Sequence, residues 1–171
     1  MNTGIKIIYN FFNFHQNIYN ICKKLEFYNC DDFKKNFGGD NNWPGKRTQN
    51  LIDYNYALYT HIMSFLNLNM IPTEDYKKVT AYCHVRFSKD KDIDWVHEDP
   101  CDTAIIYLSP TNLESGTSFF ATDKQTEISN VKFIQNTCIF FNQGLQHQSV
   151  GNHGQDINDA RMTLNVFMYK K

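Results

Sequence analysis

The residues of this chain best suited to chemistry lie in Asp94-Trp95-Val96-His97-Glu98-Asp99-Pro100, where an imidazole and a carboxylate stand two positions apart. Side chains alternate between the faces of a strand, so this spacing predicts that His97 and Asp99 project together while Glu98 points the other way. A second imidazole would complete a 2-His-1-carboxylate set, which holds a metal such as Fe(II) and leaves adjacent coordination positions open. Alone, His-x-Asp is a short pattern that could equally be a surface pair. Its partners raise it: His147 comes 48 positions after Asp99, and Arg161 comes 14 positions after His147. Arg161 opens the segment Arg161-Met162-Thr163-Leu164-Asn165, where a guanidinium suits a carboxylate held by two parallel hydrogen bonds and Thr163 shares its face. His153 competes with His147, but Gly151 and Gly154 around it suggest a loop, and it leaves only eight positions to Arg161.

Strands must position these groups. After Pro72 the apolar period changes from 3.6 to 2, and candidate strands run near 78–88, 93–99, 103–109, 117–121, 130–135, 137–142, 146–150 and 160–169. Eight short strands suggest a sandwich or barrel. In the first of them Val79, Ala81, Cys83, Val85 and Phe87 alternate with Thr80, Tyr82, His84 and Arg86. In the last, Met162, Leu164, Val166 and Met168 alternate with Arg161, Thr163, Asn165 and Phe167. Each has an apolar and a largely polar face, which fits either a solvated sheet surface or a polar-lined cavity. Upstream, Ile5 to Phe12 reads as a strand, residues 15–27 as a helix, and Leu51, Tyr54, Leu58, Ile62 and Phe65 trace a second helix. Between the helices, residues 38–45 are rich in turn formers. Nothing marks a linker, so helices packed on one outer face of the sheet and one domain over 1–171 are expected, with 1–71 as helical support and 72–171 as the β core.

The composition sets limits. With 171 residues, 42% hydrophobic, the chain is long enough for one buried core. A net charge of -1 gives no field to attract nucleic acid or an anionic membrane. The longest apolar stretch is too short to span a bilayer, and no secretory signal is evident, so a cytoplasmic setting is expected. Five scattered cysteines, never as a CxxC pair, read as reduced thiols rather than disulfides or a zinc site.

The order His97-x-Asp99, His147, Arg161 resembles the Fe(II)/2-oxoglutarate-dependent dioxygenase superfamily, and residues 79–169 are most similar to its prolyl 4-hydroxylase-like branch. The resemblance implies a double-stranded β-helix, a cupin-like jelly roll with the iron at its mouth. It also implies His97, Asp99 and His147 as iron ligands and Arg161, with Thr163, as the anchor of the distal carboxylate of 2-oxoglutarate. Tyr82, Arg86 and Tyr107 are the helpers it offers for the co-substrate. The implied reaction uses dioxygen, releases succinate and CO2, and hydroxylates a substrate, whether a protein side chain, an amino acid or a small metabolite. Gly116-Thr117-Ser118-Phe119-Phe120 resembles the family's glycine-led strand, and Trp43-Pro44-Gly45-Lys46-Arg47 is similar to loops in its small members. A non-catalytic jelly-roll binding module and a cupin-like metal enzyme that ignores 2-oxoglutarate stay open. His84 could line the cleft or satisfy a local hydrogen bond, while His15, His61, Trp43 and Trp95 read as structural. Lys89-Asp90-Lys91-Asp92 reads as a solvated turn or a lip over the site.

Overall fold

The computed structural model describes residues 4–38, 43–90 and 95–171. Among them, nine strands form two antiparallel sheets. The strands are β1 (Ile5–Ile8), β2 (Lys46–Arg47), β3 (Tyr76–Arg86), β4 (Asp102–Tyr107), β5 (Asn112–Phe120), β6 (Glu127–Phe133), β7 (Cys138–Phe141), β8 (Gln146–Val150) and β9 (Arg161–Lys170). The larger sheet runs β1-β7-β4-β9-β3-β2 and the smaller β6-β5-β8. The fold is mainly β with a few helices, as the change of period at Pro72 predicts.

The period-2 pattern assigns the faces. Ala81, Cys83 and Val85 of β3, Ala104 and Ile106 of β4, and Met162, Leu164, Val166 and Met168 of β9 are all buried in one apolar cluster. Helical residues join it: Ile18, Tyr19 and Cys22 of α1 (His15–Cys22), Leu51 of α3 (Leu51–Tyr54), and Leu58, Ile62 and Leu66 of α4 (Tyr56–Leu68). A second cluster, Tyr107, Phe119, Val131, Phe133, Ile139 and Phe141, draws on both sheets and ties them together. Burying such side chains is worth roughly 1.5–3 kcal/mol each, so these two clusters supply much of the folding drive.

Three expectations are corrected. The first helix ends at Cys22 rather than 27. The second is two helices, α3 and α4, because Asn55 leaves the helical conformation and its side chain accepts a hydrogen bond from the Leu58 amide at 3.1 Å, capping the new helix. A further helix, α2 (Cys30–Phe37), stands where no element is expected; Asn29 caps it through the Asp32 amide at 2.8 Å. Its first turn carries Asp31 and Asp32 and its last Lys34 and Lys35, charges that complement the helix dipole. No described helix is long and apolar enough to cross a membrane.

Candidate active site

The His97-Asp99 segment is not the strand that its alternation predicts. Residues 91–94 lie outside the described residues, and His97 makes only an isolated antiparallel bridge with His147 on β8. The two exchange backbone hydrogen bonds, His97 N–H to His147 O at 3.0 Å and His147 N–H to His97 O at 2.7 Å. This pairing brings together residues far apart in sequence: their rings stand 4.4 Å apart, centre to centre. One ligand atom from each of His97, Asp99 and His147 falls within 4.8 Å of the others. Glu98 is outside this group and accepts a hydrogen bond from Gln146 Nε2 at 2.7 Å.

The donor set fits a divalent metal that favours imidazole and carboxylate. His147 is buried, and its Nδ1 lies 3.0 Å from the Leu145 carbonyl oxygen, which can only accept a hydrogen bond. Nδ1 therefore carries the proton and donates it to that oxygen, and Nε2, with its lone pair, faces Asp99 Oδ2 at 3.6 Å. Burial first, then the neighbouring His97, pushes the His147 pKa down, while Asp99 opposes the shift; the net direction favours the neutral, ligating form. Thr103 Oγ1 donates to Asp99 Oδ2 at 2.8 Å and orients the carboxylate. Replacing Thr103 with Val is expected to weaken metal binding about 10- to 100-fold, the usual cost of losing such an outer contact, as measured by Mn(II) titration.

The three groups open into a cavity of about 600 Å³. The polar faces of β3 and β9 line it, not solvent: His84 and Arg86 from β3, and Arg161, Thr163, Asn165 and Phe167 from β9. Arg161 is 5% exposed and donates from Nη2 to the Gly116 carbonyl at 3.1 Å. Gly116 has no room for a side chain, since a Cβ would strike the Val131 carbonyl oxygen on β6. Arg86 is the cross-strand partner of Arg161 and donates to Ser149 Oγ on β8. Ser149 is two residues beyond His147 and pairs with Thr117 of β5, so Arg86 reaches β8 one same-face step from His147 of the candidate metal group.

The structure separates the expected helpers. Arg86 lines the cavity, whereas Tyr82 and Tyr107 are not among its described lining residues. Tyr82 packs against Arg47, the guanidinium carbon 4.4 Å from its ring centre. Tyr107 is buried behind Arg161; its hydroxyl lies 2.7 Å from Thr117 Oγ1 and donates to the Val131 carbonyl at 3.2 Å. Burial lifts its pKa to about 12, so it remains a phenol. His153 is not part of the metal group; its Nδ1 lies 2.9 Å from Ser115 Oγ.

Trp43 and Arg47, and Trp95 at the rim, line the cavity too, roles the sequence does not reveal. Gly45, at φ +73°, lets the chain pass close enough for β2 to pair with β3; a Cβ there would meet the Val85 carbonyl oxygen.

His84 settles between its two readings: it lines the cavity, and its Nδ1 lies 3.5 Å from Asn165 Nδ2. Burial, followed by the charges of Arg47, Arg86 and Arg161, holds its pKa well below 6.5. The unfolded chain therefore takes up a proton near pH 6.5 that folded His84 refuses, and stability is lost as pH falls below that value. The loss is about 1.4 kcal/mol per pH unit while the folded imidazole stays neutral. Urea melts of metal-free protein at pH 7.5 and 5.5 should show this loss, and His84→Gln should reduce it by about that amount.

The fold has known counterparts. The chain is similar to a Pseudomonas putida prolyl-4-hydroxylase at 10% identity, covering 98% of this chain and 93% of that one, with a TM-score of 0.63. It is similar to SnoK, a non-haem α-ketoglutarate-dependent carbocyclase from nogalamycin biosynthesis, at 14% identity over 97% and 79% of the two chains, TM-score 0.66. It is also similar to Streptomyces hygroscopicus HygX with nickel and 2-oxoglutarate bound, at 11% identity over 97% and 83%, TM-score 0.61. The fold is thus the jelly-roll-like one of iron and 2-oxoglutarate oxygenases, the superfamily that the His97-x-Asp99, His147, Arg161 order resembles. Neither models of known families nor curated protein sequences gave a match.

Proposed function

We propose that the protein is a non-haem Fe(II)- and 2-oxoglutarate-dependent oxygenase that hydroxylates a substrate and releases succinate and CO2. The observation that carries this reading is the placement of His97, Asp99 and His147 within 4.8 Å of one another in a cavity that also holds the buried guanidinium of Arg161. Iron, when bound, supplies the chemistry by which dioxygen and 2-oxoglutarate oxidise a second molecule.

The chain's own residues do the rest. His97, Asp99 and His147 hold the metal. Leu145 and Thr103 fix the orientation of two of those ligands. Arg161 takes the distal carboxylate of 2-oxoglutarate as a fork of two hydrogen bonds, with Thr163 beside it on β9. Arg86 adds positive charge at the same end, while Tyr107 and Tyr82 are positioning residues, Tyr107 behind Arg161 and Tyr82 beneath Arg47. Trp43 and Trp95 at the rim limit water entry. The reading takes 1–171 as one oxygenase domain acting in the cytoplasm, with residues 1–71 as an outer support of the β core at 72–171. Its substrate is a side chain, an amino acid or a metabolite rather than a nucleic acid.

Stepwise thermal melts test it. Mn(II) is expected to raise the melting temperature of metal-free protein, and 2-oxoglutarate to raise it again only once metal is present. A shift with metal and none with 2-oxoglutarate would favour a metal enzyme that does not use the keto acid. No shift with either would favour a binding module.

A further inference from the structure

We propose that the cavity holds an amide-binding subsite formed by Trp43, His84 and Asn165, and that the substrate presents a neutral carboxamide or peptide group there. That this ligand is the substrate rests on the oxygenase reading; the subsite itself stands on residues outside the metal group and outside the proposed co-substrate anchor.

Three unsatisfied atoms are the first argument. Trp43 Nε1, His84 Nε2 and Asn165 Oδ1 are buried without a hydrogen-bond partner, and all three residues line the cavity. Buried polar atoms are normally paired, so such atoms facing one cavity mark where a polar ligand sits. They belong to neighbours: the Trp43 and His84 rings stand 6.3 Å apart, centre to centre, and His84 Nδ1 lies 3.5 Å from Asn165 Nδ2. His84 is the cross-strand partner of Thr163, which places Asn165 one diagonal step away on the same face.

The pattern of donors and acceptors selects the ligand. Burial first, and then nearby arginine charge, keeps His84 neutral, so one of its ring nitrogens donates and the other accepts. Asn165 Nδ2 can only donate, so Nδ1 accepts from it and the His84 proton sits on Nε2. The unsatisfied set is therefore two donors, Trp43 Nε1 and His84 Nε2, and one acceptor, Asn165 Oδ1. An amide matches it, its carbonyl oxygen taking the two donors and its N–H the acceptor. A carboxylate has no proton for the acceptor, and an ammonium group has no lone pair for the donors.

Position and support agree with this assignment. Asn165 stands four positions beyond Arg161 on β9, roughly 13 Å of strand, clear of the end where the far carboxylate of 2-oxoglutarate is held. The next residue of that face, Phe167, is the cross-strand partner of Thr103, which orients Asp99, so the face carrying Asn165 runs on toward the metal group. Trp43 is fixed in advance. Its amide donates to Cys30 Sγ at 3.0 Å, that thiol donates back to the Trp43 carbonyl at 3.0 Å, and its ring meets Phe33 edge-on at 5.2 Å. A donor held on so constrained a ring loses little freedom when a ligand binds. Pro44, Trp95 and Ile105 give the same cavity apolar surface for the body of the ligand.

The test uses Zn(II)-loaded protein saturated with 2-oxoglutarate, so that no turnover occurs, and reads binding by ligand-observed NMR. Benzamide is compared with benzoate, and N-methylbenzamide with methyl benzoate, which keeps the shape and replaces N–H by oxygen. At least one amide should bind about tenfold tighter than its partner, since the acid or ester sets an oxygen against the buried acceptor. A preference confined to benzamide would identify a primary carboxamide as the natural group, and one shown by N-methylbenzamide a peptide bond. Asn165→Leu should erase the preference. Trp43→Phe, which retains the ring but not the N–H, should weaken amide binding about threefold or more and so covers the case in which Asn165→Leu fails to fold. Equal binding within both pairs, benzyl alcohol binding as tightly as benzamide, a preference that survives Asn165→Leu, or no saturable binding of either amide would overturn the proposal. Failure of 2-oxoglutarate itself to bind, measured beforehand by calorimetry, would count against the oxygenase reading instead. The three subsite residues lie outside the metal group, so the same pairs on metal-free protein would then report on the subsite.

Discussion

His97→Ala is expected to lower metal affinity by more than about 100-fold and to remove turnover, because loss of a direct ligand exceeds the 10- to 100-fold cost of losing an outer-shell contact. The fold should survive. His97 is held beside β8 by backbone hydrogen bonds to His147, which alanine keeps, and its imidazole belongs to neither apolar cluster. Mn(II) titration followed by calorimetry reads the affinity, and a thermal melt of the metal-free variant reads the fold. Glu98→Gln is the control: Glu98, next to His97 in sequence, accepts from Gln146 Nε2 and stands outside the candidate metal group, so the variant's Mn(II) affinity should match that of the wild type.

Arg161→Ala has the second large effect and a different signature. Two charge-assisted hydrogen bonds to a carboxylate are lost from a buried position, which should raise the dissociation constant for 2-oxoglutarate about 100-fold or more. Metal affinity should change little, since Arg161 pairs with Arg86 on β3 and bonds to the Gly116 carbonyl, away from the three candidate metal ligands. Arg161→Lys should fall between, keeping the charge without the planar fork. An Arg161→Ala protein that titrates with 2-oxoglutarate like the wild type would move the anchor to Arg86.

Side-chain type and spacing make the candidate metal group legible in the sequence, although alternation along one strand is not what assembles it. Alternation over 93–99 predicts a strand with His97 and Asp99 on one face, yet the structure holds the segment only at His97, through the bridge to His147. What brings the three groups together is this non-local pairing, which no local period encodes. The polar faces of β3 and β9 were equally visible, and only the smaller sheet standing opposite turns them from a solvated surface into a cavity wall. Helix α2 is not legible in the sequence because Phe33 alone among its eight residues is buried, leaving no apolar stripe to read. The break at Asn55 was hidden for the opposite reason: the stripe from Leu51 to Phe65 runs straight through it, and only the capping side chain betrays it. Arg47 sits on a two-residue strand, too short for any period, so its place against His84 appears only once β2 is paired with β3.

The central claim is that one metal held by His97, Asp99 and His147 presents its open positions to a 2-keto acid. Its most direct test is anaerobic: add Fe(II) and then 2-oxoglutarate to metal-free protein and record the weak visible absorption of a keto acid chelated to ferrous iron, with His97→Ala beside it. The account predicts a saturable band in the wild type that disappears in the variant. A folded wild-type protein that gives no band, or a band undiminished in His97→Ala, would contradict it.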